Sequence, residues 1–308
     1  MLIYIYSLLT FLLPLLALWN FLAKRNTYSY NWWSSLILFL LVYLFTFQTG
    51  GWPYIGFNWR YYSLIIYIVL ALVVYIKFRK KKIAGVPKKS KVSGIIISIL
   101  IVLFCYTNLE VWNGGNNDQE AINLEFPLKN GTYVIMQGGD SEIGNAAHRY
   151  RTPHSYALDI VELNAKGKRG SKLFSKDLRD YEIYGDTIYS PCDAIVINLK
   201  DGVEENEPPV TNTEHRGGNH VVLKQGEVKI LICHMQKNSI LVQRGQEIKT
   251  GEPIGLVGNT GYTIEPHLHI QAYSTIKNIN MMVPMRFNGR FLNMNDVVRT
   301  EPSIKGGE

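Results

Sequence analysis

Apolar positions along the chain fall into two textures that change near Trp112. Before it they form long unbroken runs, at residues 2–22, 32–47, 61–78 and 93–106. A helix crossing the hydrocarbon core of a bilayer needs about 20 residues, so these runs predict transmembrane helices. The last run is the shortest, and residues 108–112 extend it if the segment is helical. A cleaved signal peptide would need a basic start, a shorter apolar stretch and a small-residue cleavage site, none of which is evident in residues 2–22. Trp32, Trp33, Trp52, Trp59, Tyr61, Tyr62 and Trp112 sit at the expected ends, where an aromatic belt belongs. Residues 113–120 are a polar stretch of turn-formers. After them come short runs cut by Gly, Asn, Asp and Pro, at 132–137, 155–161, 187–189, 194–199, 219–224, 228–233, 253–257 and 268–273. Short β-branched runs at this density predict a mainly β domain. Residues 172–180 read as a brief helical turn or a loop, and 300–308 as a frayed tail. The expected organisation is an α-helical transmembrane bundle of about four helices over 1–112, a linker over 113–125, a β domain over 126–290 and a tail over 291–308.

Charge sharpens this division. The formal net charge is +7 over 308 residues, but residues 1–112 hold eleven Lys/Arg against one acidic residue, Glu110. The remainder holds 21 Lys/Arg against 24 Asp/Glu. The basic character therefore belongs to the apolar third, where membrane topology explains it better than nucleic acid does. Lys24 and Arg25 follow the first run. Seven basic residues between Arg79 and Lys91 separate the third and fourth, and residues 49–59 have none. Placing both basic loops in the cytoplasm gives an even number of spans, with both chain ends outside. The expectation is a multi-pass protein of the cell membrane, in contact with lipid, whose β domain is extracytoplasmic and has no nucleic-acid partner. Cys105, Cys192 and Cys233 contain no close-spaced pair, which argues against a disulfide framework and a cysteine zinc site. Apart from Lys77, the runs hold no charge, so a transporter's ion path is not evident.

The candidate chemistry centres on Pro266-His267-Leu268-His269-Ile270. In an extended strand His267 and His269 share one face, with their rings about 7 Å apart. One imidazole can then ligate a metal while the other handles a proton. Asp159 interrupts the apolar run 155–161, which is costly for a carboxylate unless it is paired or bound to a metal. His234 closes the hydrophobic run 228–233, and His148 and His154 lie upstream.

From these residues onward the chain resembles the lysostaphin/LytM-type zinc endopeptidases, which hydrolyse peptide bonds in bacterial peptidoglycan. The resemblance covers roughly residues 130–275. Gly218-Asn219-His220-Val221-Val222-Leu223 is similar to the family's GNxVxL strand, and His234 falls where the family has its lone "AHL" histidine. Residues 242–255 match VxxGxxVxxGxxIG, Gly258-Asn259-Thr260-Gly261 matches GNTG, and Pro266-His267-Leu268-His269 carries the HxH motif. The resemblance implies a lysostaphin-like fold of antiparallel sheets forming a groove, and one Zn2+ per chain. Asp159 and His269 would be zinc ligands. His267 would take the proton of the attacking water and His234 would steady the oxyanion. Peptidoglycan peptides would be the substrate. A peptidase fold kept as a silent receptor or regulator of cell-wall enzymes is the alternative.

The chain departs from the family pattern at the first ligand. The usual motif, HxGxD, places His four residues before Asp. His154 stands five before Asp159, an odd offset that faces away if the segment is extended. His148 stands eleven before, across residues that can loop, and some family members carry a longer insertion before a Tyr-Ala-x-Asp strand such as residues 156–159. His148 is therefore favoured as the first ligand, with His154 at the rim or outside the metal's ligand shell. His215 and His220 read as non-catalytic. Gly258, Asn259 and Gly261 suit the tight turn that delivers the HxH strand, and Gly251 and Gly255 suit close backbone approach before it.

Overall fold

The computed structural model describes residues 12, 14–16, 29–78, 89–115, 120–149, 155–276 and 279–300. The chain divides into two compact units, Met1–Trp112 and Asn113–Glu308.

In the first unit the apolar runs form helices α1 (Ser29–Thr49), α2 (Trp59–Phe78) and α3 (Lys89–Asn113), with a single turn at Trp52–Ile55 between α1 and α2. That turn starts with Pro53 near its first position and ends at Gly56 (φ +124°), so the chain reverses where Gly and Pro permit it. Leu38, Val42 and Ile97 pack together, and Asn108 donates to the Leu41 carbonyl while accepting from Gln48. Tyr67 stacks on Tyr43 and Phe39. Elsewhere the helices leave Ile65, Leu72, Ile99 and Val102 exposed.

Four spans were expected. Among the described residues one segment, Gly94–Asn113, is long and apolar enough to cross a membrane. The apolar segments of the other two helices, Trp33–Thr49 and Trp59–Val73, are shorter. The expected first run, 2–22, lies almost wholly outside the described residues, as does the tail from 301.

The second unit is built on one nine-stranded antiparallel sheet. Its strands run in the order β14 (Val297–Arg299), β2 (Thr132–Gln137), β3 (Leu158–Glu162), β10 (Leu268–Ile276), β7 (Val228–Met235), β6 (Asn219–Gln225), β5 (Ala194–Lys200) and β8 (Glu247–Ile248), with β11 (Ile279–Val283) paired to β10. A small sheet joins β1 (Ile122–Leu124) in parallel to β12 (Met285–Phe287) and then to β13 (Arg290–Phe291). A third pairs β4 (Thr187–Tyr189) with β9 (Pro253–Leu256). The large sheet buries one face in a single apolar core including Ile135, Ile160, Leu223, Ile230, Ile232, Leu268 and Ile270. β1 falls within the stretch expected to be linker, and β14 within the expected tail. Residues 163–182 form an irregular loop that includes one 3-10 turn, Leu178–Asp180.

Candidate metal centre

β10 sits between β3 and β7, and the register of both pairings positions the site. His269 lies opposite Asp159 on one side and Cys233 on the other. Directly opposed residues share a face with Cβ atoms about 4.5–5.5 Å apart. Alternation along β10 then places Leu268 and Ile270, both fully buried, in the core and His267, His269 and Gln271 on the opposite face.

His234 reaches that face through a bulge. Between the pairs Val221↔Ile232 and Asn219↔Met235, β7 carries one residue more than β6. Continued alternation would place position 234 on the core face with Ile230 and Ile232. His234 instead takes φ +62°, in the left-handed region, and Met235 fills the core position. The His234 ring consequently lies 4.9 Å from the His267 ring and 5.7 Å from the His269 ring. Its amide donates to the Gly217 carbonyl, and its own carbonyl accepts from Gly258.

His148 belongs to a four-residue helix, α4 (Ala146–Arg149), on the loop between β2 and β3. Asn145, fully buried, fixes it. The Asn145 side-chain amide lies 3.0, 3.3 and 3.1 Å from the carbonyls of Gly139, Ser155 and Ala157, and its Oδ1 faces His148 Nδ1 at 2.7 Å. His148 Nε2 then lies 3.3 Å from Asp159 Oδ1, and its ring 4.9 Å from that of His269. His154 lies outside the described residues. His215 contacts Lys200, and His220 contacts the Gly218 carbonyl.

Hydrogen-bond partners orient the rings. An amide oxygen or a carbonyl only accepts, so His148 donates through Nδ1 to Asn145, while His269 lies between two acceptors, Gln271 Oε1 at 3.1 Å from Nε2 and Asp159 Oδ1 at 2.9 Å from Nδ1. His267 donates through Nδ1 to the Glu265 carbonyl at 2.9 Å, and His234 through Nδ1 to the Thr260 carbonyl at 2.8 Å. The atoms left facing inward are His148 Nε2, His269 Nδ1 and Asp159 Oδ1, the latter 2.9 Å from His269 Nδ1. With the His269 proton on Nε2 these are three acceptors, converging within 4.8 Å of one another. Three acceptors so placed suit a cation. Two imidazole nitrogens and a carboxylate oxygen are a donor set that suits tetrahedral zinc with one position open. His267 Nε2, 3.4 Å from the same carboxylate oxygen, and His234 complete the ring of groups.

The electrostatics follow from this crowding. Burial opposes ionisation of Asp159, yet His148 and His267 beside it hold its carboxyl well below the ordinary range. Burial lowers the His267 pKa, but the adjacent Asp159 more than offsets it and leaves it raised. Burial, followed by the charges of His267 and His269, pushes His234 well down. Cys233 is pushed up to about 12 by burial and by Asp159, so its thiol stays protonated and offers no thiolate ligand.

The structure thus brings together the five residues singled out in the sequence, His148, Asp159, His234, His267 and His269. It adds Asn145, Thr260, Glu265 and Gln271 as groups that hold the rings. Gln271 was legible, because it continues the alternation of His267 and His269. The other three act through turns or backbone atoms and leave no periodic signal.

Part of this unit is similar in sequence to known proteins. Residues 180–281 match Peptidase family M23. The match includes His234, His267 and His269, whereas His148 and Asp159 lie upstream of it. The chain is similar to the peptidoglycan DD-endopeptidases ShyA (30% identical over 174 residues, 56% of this chain and 39% of the relative) and ShyB (26% over 182 residues, 55% and 39%), both of Vibrio cholerae serotype O1. It therefore spans well under half the length of these relatives. A solved zinc-containing peptidase from Vibrio cholerae aligns at 21% identity and TM-score 0.32, covering 53% of this chain and 39% of that one.

Proposed function

We propose that the chain is a membrane-anchored, zinc-dependent endopeptidase that hydrolyses peptide bonds of bacterial peptidoglycan. The observation that carries this reading is the convergence of His148 Nε2, His269 Nδ1 and Asp159 Oδ1 beside two further histidines. The match to the M23 peptidases and the similarity to peptidoglycan DD-endopeptidases supply the substrate class. His148, Asp159 and His269 would hold the metal. When bound, zinc supplies Lewis acidity towards water and a peptide carbonyl at neutral pH.

The remaining work falls to the protein. Asn145 and Gln271 hold the two ligand rings with their lone pairs inward. His267, its Nδ1 proton committed to the Glu265 carbonyl, presents a bare Nε2 and takes the proton of the attacking water. His234 carries its proton on Nδ1, donated to the Thr260 carbonyl, so the oxyanion role that the resemblance implies for it needs the Nε2–H tautomer of the neutral ring, with the Thr260 contact given up. The bulge at His234 sets that ring against His267 and places proton acceptor and oxyanion group side by side.

Anchoring rests on the apolar helices. Gly94–Asn113 has the length of a span, and α1 and α2 keep large apolar residues exposed. The basic residues at 79–91 precede the spanning segment, and by the positive-inside rule they support a second unit outside the cytoplasm.

The test is to purify the full-length chain, measure bound zinc and follow release of peptides from purified cell walls, with a chelator and His267→Ala as controls. Chelator-sensitive release that His267→Ala abolishes is expected. Stoichiometric zinc with no release from any wall preparation would replace the reading with a silent receptor.

A further inference from the structure

The loop at residues 163–182 carries a buried charge that the chemistry above does not use. Arg169 is 2% exposed, and its Nη2 lies 2.8 Å from Glu265 Oε2, on a residue 5% exposed. The same nitrogen donates to the Leu173 carbonyl at 2.9 Å, and the guanidinium lies 5.1 Å from the centre of the Tyr181 ring. The loop is built to hold Arg169. Asn164 Oδ1 accepts from the Lys166 and Lys168 amides, the Glu182 amide donates to the Arg169 carbonyl, and Gly170 bridges to Tyr181. Taking two charges out of water is costly, and apolar residues of similar volume commonly serve stability as well or better. Stability alone therefore does not account for this pair.

Glu265 has a second contact. It lies in the irregular stretch that leads into β10, where no strand ladder orients the peptide planes. Its carbonyl accepts from His267 Nδ1 at 2.9 Å and from the Thr263 hydroxyl at 2.7 Å. The residue whose carboxylate is clamped is thus the residue whose carbonyl aims His267. We propose that Arg169, acting through Glu265, is a positioning residue that sets the orientation and tautomer of His267. Its effect on turnover rests on the peptidase reading, whereas its effect on the His267 ring does not.

The test uses the full-length chain and compares wild type, Arg169→Met/Glu265→Leu and Glu265→Asp. The double variant removes both charges together and so avoids stranding either one. Melting temperature and zinc content near wild type are expected, with KM within about twofold and kcat down roughly 10–100-fold, the scale on which misplacing a reacting group by about 1 Å acts. Glu265→Asp keeps the charge pair but shortens the link by one methylene. It is expected to fold and bind zinc as wild type does and to lose kcat several-fold, and it carries the test if the double variant fails to fold. Histidine-selective nitrogen NMR, with His267→Ala identifying the resonances, should show a single Nδ1-protonated tautomer in wild type and a mixture in the variants. A folded, zinc-loaded variant with wild-type kcat and an unchanged His267 spectrum would overturn the proposal. If wild type hydrolyses nothing, the peptidase reading fails, and the spectrum alone decides the positioning role.

Discussion

Asn145→Ala should both weaken zinc binding and destabilise the fold around the site. The substitution removes two functions from one buried side chain. On the outer side, the carbonyls of Gly139, Ser155 and Ala157 lose their donor. A buried polar group left unsatisfied costs about 1–3 kcal/mol. Two amide protons are shared among three carbonyls, and water can enter the vacated space, so a stability loss of roughly 2–4 kcal/mol is expected. On the inner side, His148 loses the 2.7 Å contact that fixes its tautomer and turns Nε2 towards Asp159. Loss of such an outer partner typically weakens metal affinity about 10–100-fold, or roughly 1.4–2.7 kcal/mol. Asn145→Asp separates the two functions. It keeps an acceptor for His148 and abolishes the donors, so stability should fall at least as far while zinc affinity holds or rises. The assay is competition against a chromophoric chelator on the full-length chain at pH 7, with melting temperature measured in parallel. Wild-type zinc affinity in Asn145→Ala, or equal weakening in both variants, would refute the reasoning and leave Asn145 as a clamp for the loop.

Three further outcomes follow from the same contacts. His148→Ala should abolish stoichiometric zinc measured by elemental analysis, while His154→Ala should keep it; the reverse would transfer the ligand role. Gly218→Ala should destabilise by at least about 2 kcal/mol in denaturant melts, because φ is +60° and a Cβ would overlap the Thr260 carbonyl that orients His234; a neutral effect would mean the loop yields freely. Glu162 has its pKa raised to about 7 by burial and then by the charges of Asp186 and Glu182. The folded chain therefore keeps this proton where the unfolded chain, titrating near 4.5, has lost it, and stability falls as pH rises through that window. Glu162→Gln should melt higher than wild type at pH 8 and level with it at pH 4, and a pH-independent difference would contradict this.

Much of the β unit was legible because its strands obey a period of two over short runs. Residues 132–137 and 187–189 form strands with the expected bounds, and 219–224, 228–233 and 268–273 extend by one to three residues. Of the strands that were not anticipated, β1, β8, β12, β13 and β14 are two or three residues long, and β11, of five, folds back on β10. β1 pairs with β12 across more than 150 residues, and nothing in Ile122-Asn123-Leu124 alone announces a partner. The helices formed where the apolar runs lie, and among the described residues one segment, Gly94–Asn113, is long and apolar enough to span.

The site divides along the same physical line. His267, His269 and Gln271 follow from alternation on one strand, and Asp159 joins them because β3 pairs with β10 in a register that sets it opposite His269. His234 obeys a different rule. Read with a period of two it belongs in the core, on the face of Ile230 and Ile232, and only the extra residue in β7 and a φ of +62° turn it outward. A left-handed, non-glycine residue costs of order 1–3 kcal/mol, which a chain retains when the surroundings over-determine it. Here the surroundings are the Gly217 carbonyl, the Gly258 amide and the Thr260 carbonyl, three backbone groups from two glycine-containing loops. The glycines near Gly218 and Gly261 therefore shape a turn and also hold the strained backbone that presents His234. That places part of the reactive geometry in residues with no reactive side chain, where a search for chemistry-bearing residue types does not look.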